Sequence, residues 1–362
     1  MNIPPQDSKT TIPVDLIRTV AIVGVLLLHA GNDLTNQVTL NTLEIVRWTT
    51  VDIYQSIGRL GVPLFVMLTG ALLLAPSKTN EDLGTFFKKR FSRIGLPCLF
   101  WGILYFVWDI FVENQLATAQ STAAFIAQGL LTGPYFQFWY IYMLVGLYLV
   151  TPFLRLMVAQ ASNQLFKYFT VLWFIGTSLI PFIYLLTPLK VDANLFLIPT
   201  FVGYFVLGYY LLRVRVNRRL LKEMLVASLA GTAIGTYFVS RYFGGSTSWF
   251  FQEYVSPTTI IASIALFTLL VSGKSSQQQT MHIHRSRGQK LLHIISENTL
   301  AIFFLHLIVL YVLQQGVLGF ALNGNTVNSI IGVPLAAVLT LFICLAIIVP
   351  LKKVPYLKKF IG

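Results

Sequence analysis

Residues 13–31 read PVDLIRTVAIVGVLLLHAG, an apolar run broken only by an acid, an arginine and a histidine. A hydrocarbon core of roughly 30 Å needs about 20 apolar residues of α-helix to cross it. This run has that length. A backbone in lipid has no water to bond, so the run must be helical. Nine more runs of the same kind follow, at 58–76, 95–113, 136–154, 168–187, 195–212, 224–242, 255–272, 293–315 and 329–350. Pro76, Gly95 with Pro97, Pro188, Gly273 and Pro350 punctuate their ends. The expectation is an all-α, polytopic membrane helical bundle of about ten transmembrane helices. It forms one domain over 1–362, with 1–12 as a cytoplasmic tail and no fused extracytoplasmic domain.

Composition agrees. Of 362 residues, 56% are hydrophobic and 11% charged, where a soluble domain carries about 25% charged residues. So little charge cannot cover a water-exposed surface of this size. Residues 13–31 are not a cleavable signal, because Asp15 and Arg18 lie inside the run and no small-residue cleavage pattern follows. Cys98 and Cys344 both fall in apolar runs, which argues against a disulfide framework or a metal site.

The net charge of +13 invites a nucleic-acid reading. Its distribution excludes one. With the N-terminus inside, every Lys and Arg except Arg47, Arg59, Lys190 and Arg241 falls on the cytoplasmic side of ten spans. That asymmetry is the positive-inside pattern. It places both termini in the cytoplasm and leaves membrane lipids as the partners of the basic loops. Two loops are long: an outer polar stretch at 32–57 carrying Asp33 and Asp52, and an inner one at 273–292 that reads as flexible. His282 and His284 in the latter fit a solvated loop better than a metal site.

Ionisable groups within membrane spans are costly and mark function. Arg18, His29 and His306 are the three here, with Asp15 at an edge. Eleven residues at 100° each make three turns and about 20°, so Arg18 and His29 face the same side, about 16 Å apart along the axis. Arg18 then lies near the cytoplasmic interface, and His29 in the outer half. A neutral imidazole can take a proton from a hydroxyl near neutral pH, or carry an acyl group itself. The plainer alternatives are a snorkelling arginine and a packing histidine. His306 lies at a similar outer depth in ENTLAIFFLH, where Glu297 and Asn298 cap or position the helix. Arg90 and Arg93 in FFKKRFSRIGLPCLFW are three apart, on one helical face, and paired guanidinium groups grip phosphate; positive-inside charge is the alternative. Trp139 and Tyr140 open the fourth span, as an aromatic belt or a sugar-stacking platform. Gly231 and Gly235 form a GxxxG, read as close helix packing.

Taken in order, DLIRTVAIVGVLLLHA, GRLGVPLFVMLTGALLL, FFKKRFSRIGLPCLFW, FWYIYMLVGLYLVTP and ENTLAIFFLH resemble the acyltransferase type 3 family of membrane-bound O-acyltransferases. The second helix is most like the surface-polysaccharide O-acetyltransferase branch, which includes the enzyme that acetylates enterobacterial common antigen. The resemblance implies a transfer enzyme of the plasma (inner) membrane. Its arginine and histidine separated by ten residues fall on Arg18 and His29, the latter as catalytic base or transient acyl carrier. Its arginine motif falls on Arg90 and Arg93, serving the donor. That donor would be acyl-CoA, most often acetyl-CoA, used as a co-substrate without a metal. The acceptor would be a hydroxyl of a surface polysaccharide or lipid-linked saccharide, with Trp139, Tyr140 and His306 as candidate substrate contacts. Some members carry an eleventh span and an extracytoplasmic hydrolase-like domain; a chain ending at LKKVPYLKKFIG is expected to lack both. The competing reading is a secondary transporter or glycolipid flippase in which His29 couples protons, although the two halves show no evident repeat.

Overall fold

The computed structural model describes residues 12–31, 42–112, 122–187, 199–243, 245–273, 286–322 and 327–362. The expected Asp33, Lys190, His282 and His284 features lie outside the described residues. Among the described residues there is no strand. The helices are α1 (Val14–Ala30), α2 (Thr42–Gly58), α3 (Gly61–Leu73), α4 (Leu83–Arg90), α5 (Leu96–Phe111), α6 (Thr122–Thr132), α7 (Trp139–Gln160), α8 (Asn163–Phe174), α9 (Ile180–Leu186), α10 (Thr200–Leu211), α11 (Arg218–Tyr242), α12 (Pro257–Val271), α13 (Arg287–Glu297), α14 (Thr299–Gln314), α15 (Ser329–Leu351) and α16 (Lys358–Ile361). A π turn, Phe91–Gly95, joins α4 to α5; a second, Ile175–Leu179, joins α8 to α9.

The all-helical membrane bundle is borne out, and every expected run overlaps a helix among the described residues. Length and composition give fewer crossings than ten. Seven stretches suffice to span: 45–73, 83–111, 123–160, 163–186, 218–242, 249–271 and 329–351. The pair α13–α14 makes an eighth if taken as one span, bent by 78°. Helix α1 has 17 residues and α10 has 12, about 26 and 18 Å of rise.

In two expected loops, the described residues 42–57 and 287–292 are helical instead. The stretch 32–57 contains α2, which runs on into α3. Asp52, Gln55, Ser56 and Arg59 recur at i, i+3, i+4 and i+7, a single helical face. Asp52, Gln55 and Ser56 on that face are buried, and their hydrogen bonds are made inside the bundle. Gln252 donates to the Asp52 carboxylate at 2.6 Å and to Ser56 Oγ at 3.1 Å. Gln55 donates to the carbonyl of Gly31 at 2.8 Å. Within 273–292, Ser286 caps α13 through a reciprocal bond pair with Gln289.

Helix α1 is held along its length. Near its start, Thr19 donates to the Leu292 carbonyl at 3.3 Å, and Asp15 meets His293 Nδ1 at 3.0 Å. At its end, Gln314 donates to the Ala30 carbonyl at 3.1 Å. In its middle it crosses the α2–α3 junction backbone to backbone. A Cβ on Gly58 would stand 2.8 Å from the Gly24 carbonyl oxygen, and one on Gly61 2.6 Å from that of Ala21. Helices α3 and α10 meet in the same way: a Cβ on Gly70 would overlap the Phe205 carbonyl, and one on Gly208 that of Met67. Small residues at membrane helix crossings allow this approach. Gly231 and Gly235 also pack closely, against Thr258 and the Phe251 ring.

Gly208→Ala should therefore force α10 off α3, at a cost in the range of about 1–3 kcal/mol or above for overpacking. Thermal unfolding in detergent should show a lowered Tm or loss of monodisperse protein. Gly146→Ala, with nothing within 4 Å of the added carbon, should be tolerated. Equal stability of the two variants would contradict the crossing.

Candidate active site

A cavity of about 270 Å³ opens among α1, α3, α4, α7 and α14. Arg18, Lys78, Arg90 and Arg93 all line it. Arg93 is exposed, so the cavity reaches the surface there. The expectation that Arg90 and Arg93 share a face with each other and a side with Arg18 holds. Lys78 joins them from the turn after α3, where its Nζ donates to the Leu72 carbonyl at 2.6 Å. Burial pulls the Lys78 ammonium below its ordinary pKa, and the nearby Arg90 adds to that.

The carboxylate beside Lys78 is engaged by cations outside the cavity. Glu81 is bound by Lys89 at 2.8 Å and by Arg155 at 3.1 Å. The Lys89 contact first, and Arg155 with it, holds the Glu81 carboxyl below the usual carboxylate range. Arg155 is 3% exposed, with its Nε donating to the Leu73 carbonyl at 2.8 Å and its guanidinium over the Phe86 ring. None of the four lining cations is ion-paired to a described carboxylate. The bend at Asn298 adds to the charge. It brings the first turn of α14, Thr299 and Leu300, to the cavity wall, and no side chain caps that end. A free helix N-terminus favours anions. Phe65, Leu72, Leu144 and Phe303 give it an apolar wall, to which Thr69, Tyr140 and Tyr148 add hydroxyls. The cavity suits a ligand with a polyanionic head and a slender, less polar arm.

His29 and His306 form a second locus. Their ring centroids are 5.1 Å apart, and Phe136 packs against His29 at 5.5 Å. His306 is wholly buried. Its Nδ1 lies 2.6 Å from the Phe303 carbonyl. A carbonyl only accepts, so Nδ1 carries the proton and Nε2 presents a lone pair. That Nε2 and the Nδ1 of His29 are both buried without a hydrogen-bond partner. His29 itself is partly exposed. Two imidazoles with unsatisfied nitrogens side by side are equipped to accept a proton from a bound group.

The structure separates Trp139 from Tyr140. Tyr140 is buried, lines the basic cavity and packs on Phe303 at 5.1 Å. Trp139 is partly exposed and packs at a tilt against Phe201 and Tyr254. Tyr254 in turn carries the Arg59 guanidinium 5.1 Å over its ring, and Arg59 is a charged neighbour of His29. Sequence reasoning missed Lys78, Phe303 and Arg59 as site residues. Only Arg59 left a signal: it is one of the few cations placed against the positive-inside pattern.

The fold is that of a multi-pass membrane protein, with a cation-lined cavity and, apart from it, two histidines side by side. The chain belongs to the acyltransferase type 3 family, whose model, an acyltransferase domain, matches residues 13–349. It is a membrane acyltransferase. Neither a curated protein nor a solved structure shows significant similarity to the chain.

Inorganic pyrophosphate, as a probe of the cation cluster, should stabilise the purified protein against heat. At about 100 times Kd the gain is about 2.7 kcal/mol, a shift of several degrees. Arg90→Gln with Arg93→Gln should lose most of it. An undiminished shift in that double variant would remove the cavity as the anion site.

Proposed function

We propose that the protein transfers a short acyl group, acetyl, from acyl-CoA to a hydroxyl of a cell-surface or lipid-linked glycan, as in the surface-polysaccharide O-acetyltransferase branch of the family. The observation that carries the reading is that one helix, α1, presents Arg18 to the cation-lined cavity and, about 16 Å further along, His29 to a second histidine. The phosphates of CoA would sit among Arg18, Lys78, Arg90 and Arg93, and the pantetheine arm would follow the apolar walls toward Phe303. The location is the plasma (inner) membrane. The chain crosses ten times with both termini cytoplasmic, α1, α10 and the bent pair each counting as one crossing. The gathering of four cations around one cavity supports this sidedness, because the same residues form the positive-inside excess.

At the far end, an acceptor hydroxyl reaches His29 from the side of Phe136, with Trp139, Tyr254 and Arg59 as a stacking and hydrogen-bonding surface for the sugar. His29 takes the hydroxyl proton as the oxygen attacks the thioester carbonyl. The tetrahedral intermediate then collapses, the carbon–sulfur bond breaks, and the CoA thiolate takes the proton back from the imidazolium. The Phe303 carbonyl keeps His306 in the Nδ1–H tautomer, so its Nε2 stays an acceptor beside the reacting groups.

Loss of a general base costs about 10²–10⁴ in rate. His29→Ala should therefore reduce kcat by that factor while the protein still inserts and donor KM is little changed. Arg90→Gln with Arg93→Gln should instead raise donor KM and make it less sensitive to salt. Mass spectrometry of surface glycans from cells carrying only His29→Ala reads the first effect directly. Full acylation of those glycans would sink the proposal, and solute flux by the purified protein without CoA release would point to transport.

A further inference from the structure

The basic cavity stops short of the histidines. Neither His29 nor His306 lines it; Phe303, Tyr140 and Phe65 do. On its other side the Phe303 ring lies 5.9 Å from His306, which lies 5.1 Å from His29. Phe303 is therefore the partition between the two loci. It is tightly built: 5% exposed, with Tyr140 at 5.1 Å and Phe304 at 5.7 Å, while Phe65 backs Tyr140 at 6.3 Å. A reacting carbonyl must come within about 3–3.5 Å of the attacking oxygen. A donor arm rising from the cations can meet a hydroxyl held at His29 only by placing its acyl end against this ring.

We propose that the Phe303 ring, backed by Tyr140, sets the length of the acyl group that the enzyme transfers. This rests on the acyl-CoA reading above and adds to it the size class of the donor. Interiors are close-packed, and each extra methylene must displace something. On this proposal an acetyl group asks for the least room between the ring and the His29 side, and each further methylene of a propionyl or butyryl group presses on the ring face. One methylene in an apolar site changes kcat/KM by about 10–200-fold. The role belongs to the side chain alone. The bond that fixes the His306 tautomer uses the Phe303 main-chain carbonyl, which any residue at 303 supplies.

The experiment uses detergent-permeabilised membranes of the source organism containing the full-length protein and the host's own glycolipids, with no other copy of the enzyme. Radiolabelled acetyl-, propionyl- and butyryl-CoA are offered separately, and label in the glycan and glycolipid fraction is measured. The wild type should favour acetyl over butyryl by at least ten-fold. Phe303→Ala should raise the butyryl-to-acetyl ratio ten-fold or more, and Phe303→Leu should fall between. The ratio compares donors within one preparation, so a smaller folded fraction leaves it unmoved; if Phe303→Ala is not recovered in the membrane, Phe303→Leu carries the test. An unchanged ratio in the folded variants overturns the proposal, as does a wild type that uses all three donors equally. Absence of transfer by the wild type from every donor would instead overturn the acyl-CoA reading on which it stands.

Discussion

Backbone meets backbone where α1 crosses the α2–α3 junction, with Gly24 set against Gly58 and Gly61. Everything proposed for the chemistry depends on that contact. Helix α1 carries both the residue that faces the anion cavity and the residue that faces the second histidine. The spacing between those two is fixed by helical rise, but their placement against α14 is fixed by how deeply α1 sits on its neighbours. In lipid there is no hydrophobic force to press helices together, and packing has to do that work. The hydrogen bonds at the two ends of α1 then set its rotation.

Much of this was legible in the sequence. The apolar runs gave helices, and the eleven-residue interval between Arg18 and His29 gave their common face. Arg90 and Arg93 announced a cation pair beside Arg18. What stayed hidden has a common cause. A hydropathy reading averages around the helix, so α2, whose buried side mixes Trp48 and Val51 with Asp52, Gln55 and Ser56, reads as a polar loop. Only the partners in space, Gln252 and the Gly31 carbonyl, make it a buried helix. The pairing of His29 with His306 joins α1 to a helix about 280 residues further along the chain, and nothing local records it. Phe303 is one phenylalanine among 28; its place between two loci exists only in the fold. The number of crossings also resists a length rule, since α10 is short and α13–α14 bends at Asn298.

The arrangement divides labour by chemistry. Charge is concentrated where a polyanion can be held near a surface, and each carboxylate near it is already engaged. Uncharged nitrogens are placed deep, where a fixed tautomer and an unfilled lone pair matter more than charge. Aromatic rings lie between the two zones, so a ligand head and its reacting end meet different environments.

The π turn at Phe91–Gly95 bears on how such a site tolerates sequence change. A π turn holds one residue more than the α-helical turn it replaces. Deleting a single residue there would restore an uninterrupted α-helix and leave α5 close to its present rotation relative to α4, because the turn already absorbs the extra residue. Trp101, which donates to the Ile361 carbonyl at 3.2 Å, and Tyr105, which donates to that of Phe304 at 2.6 Å, would keep their aim. The extra residue thus lets two cations aim at the cavity while the helix beyond keeps its own register. For insertions and deletions in the spans, these five residues are the place where the chain has a residue to spare.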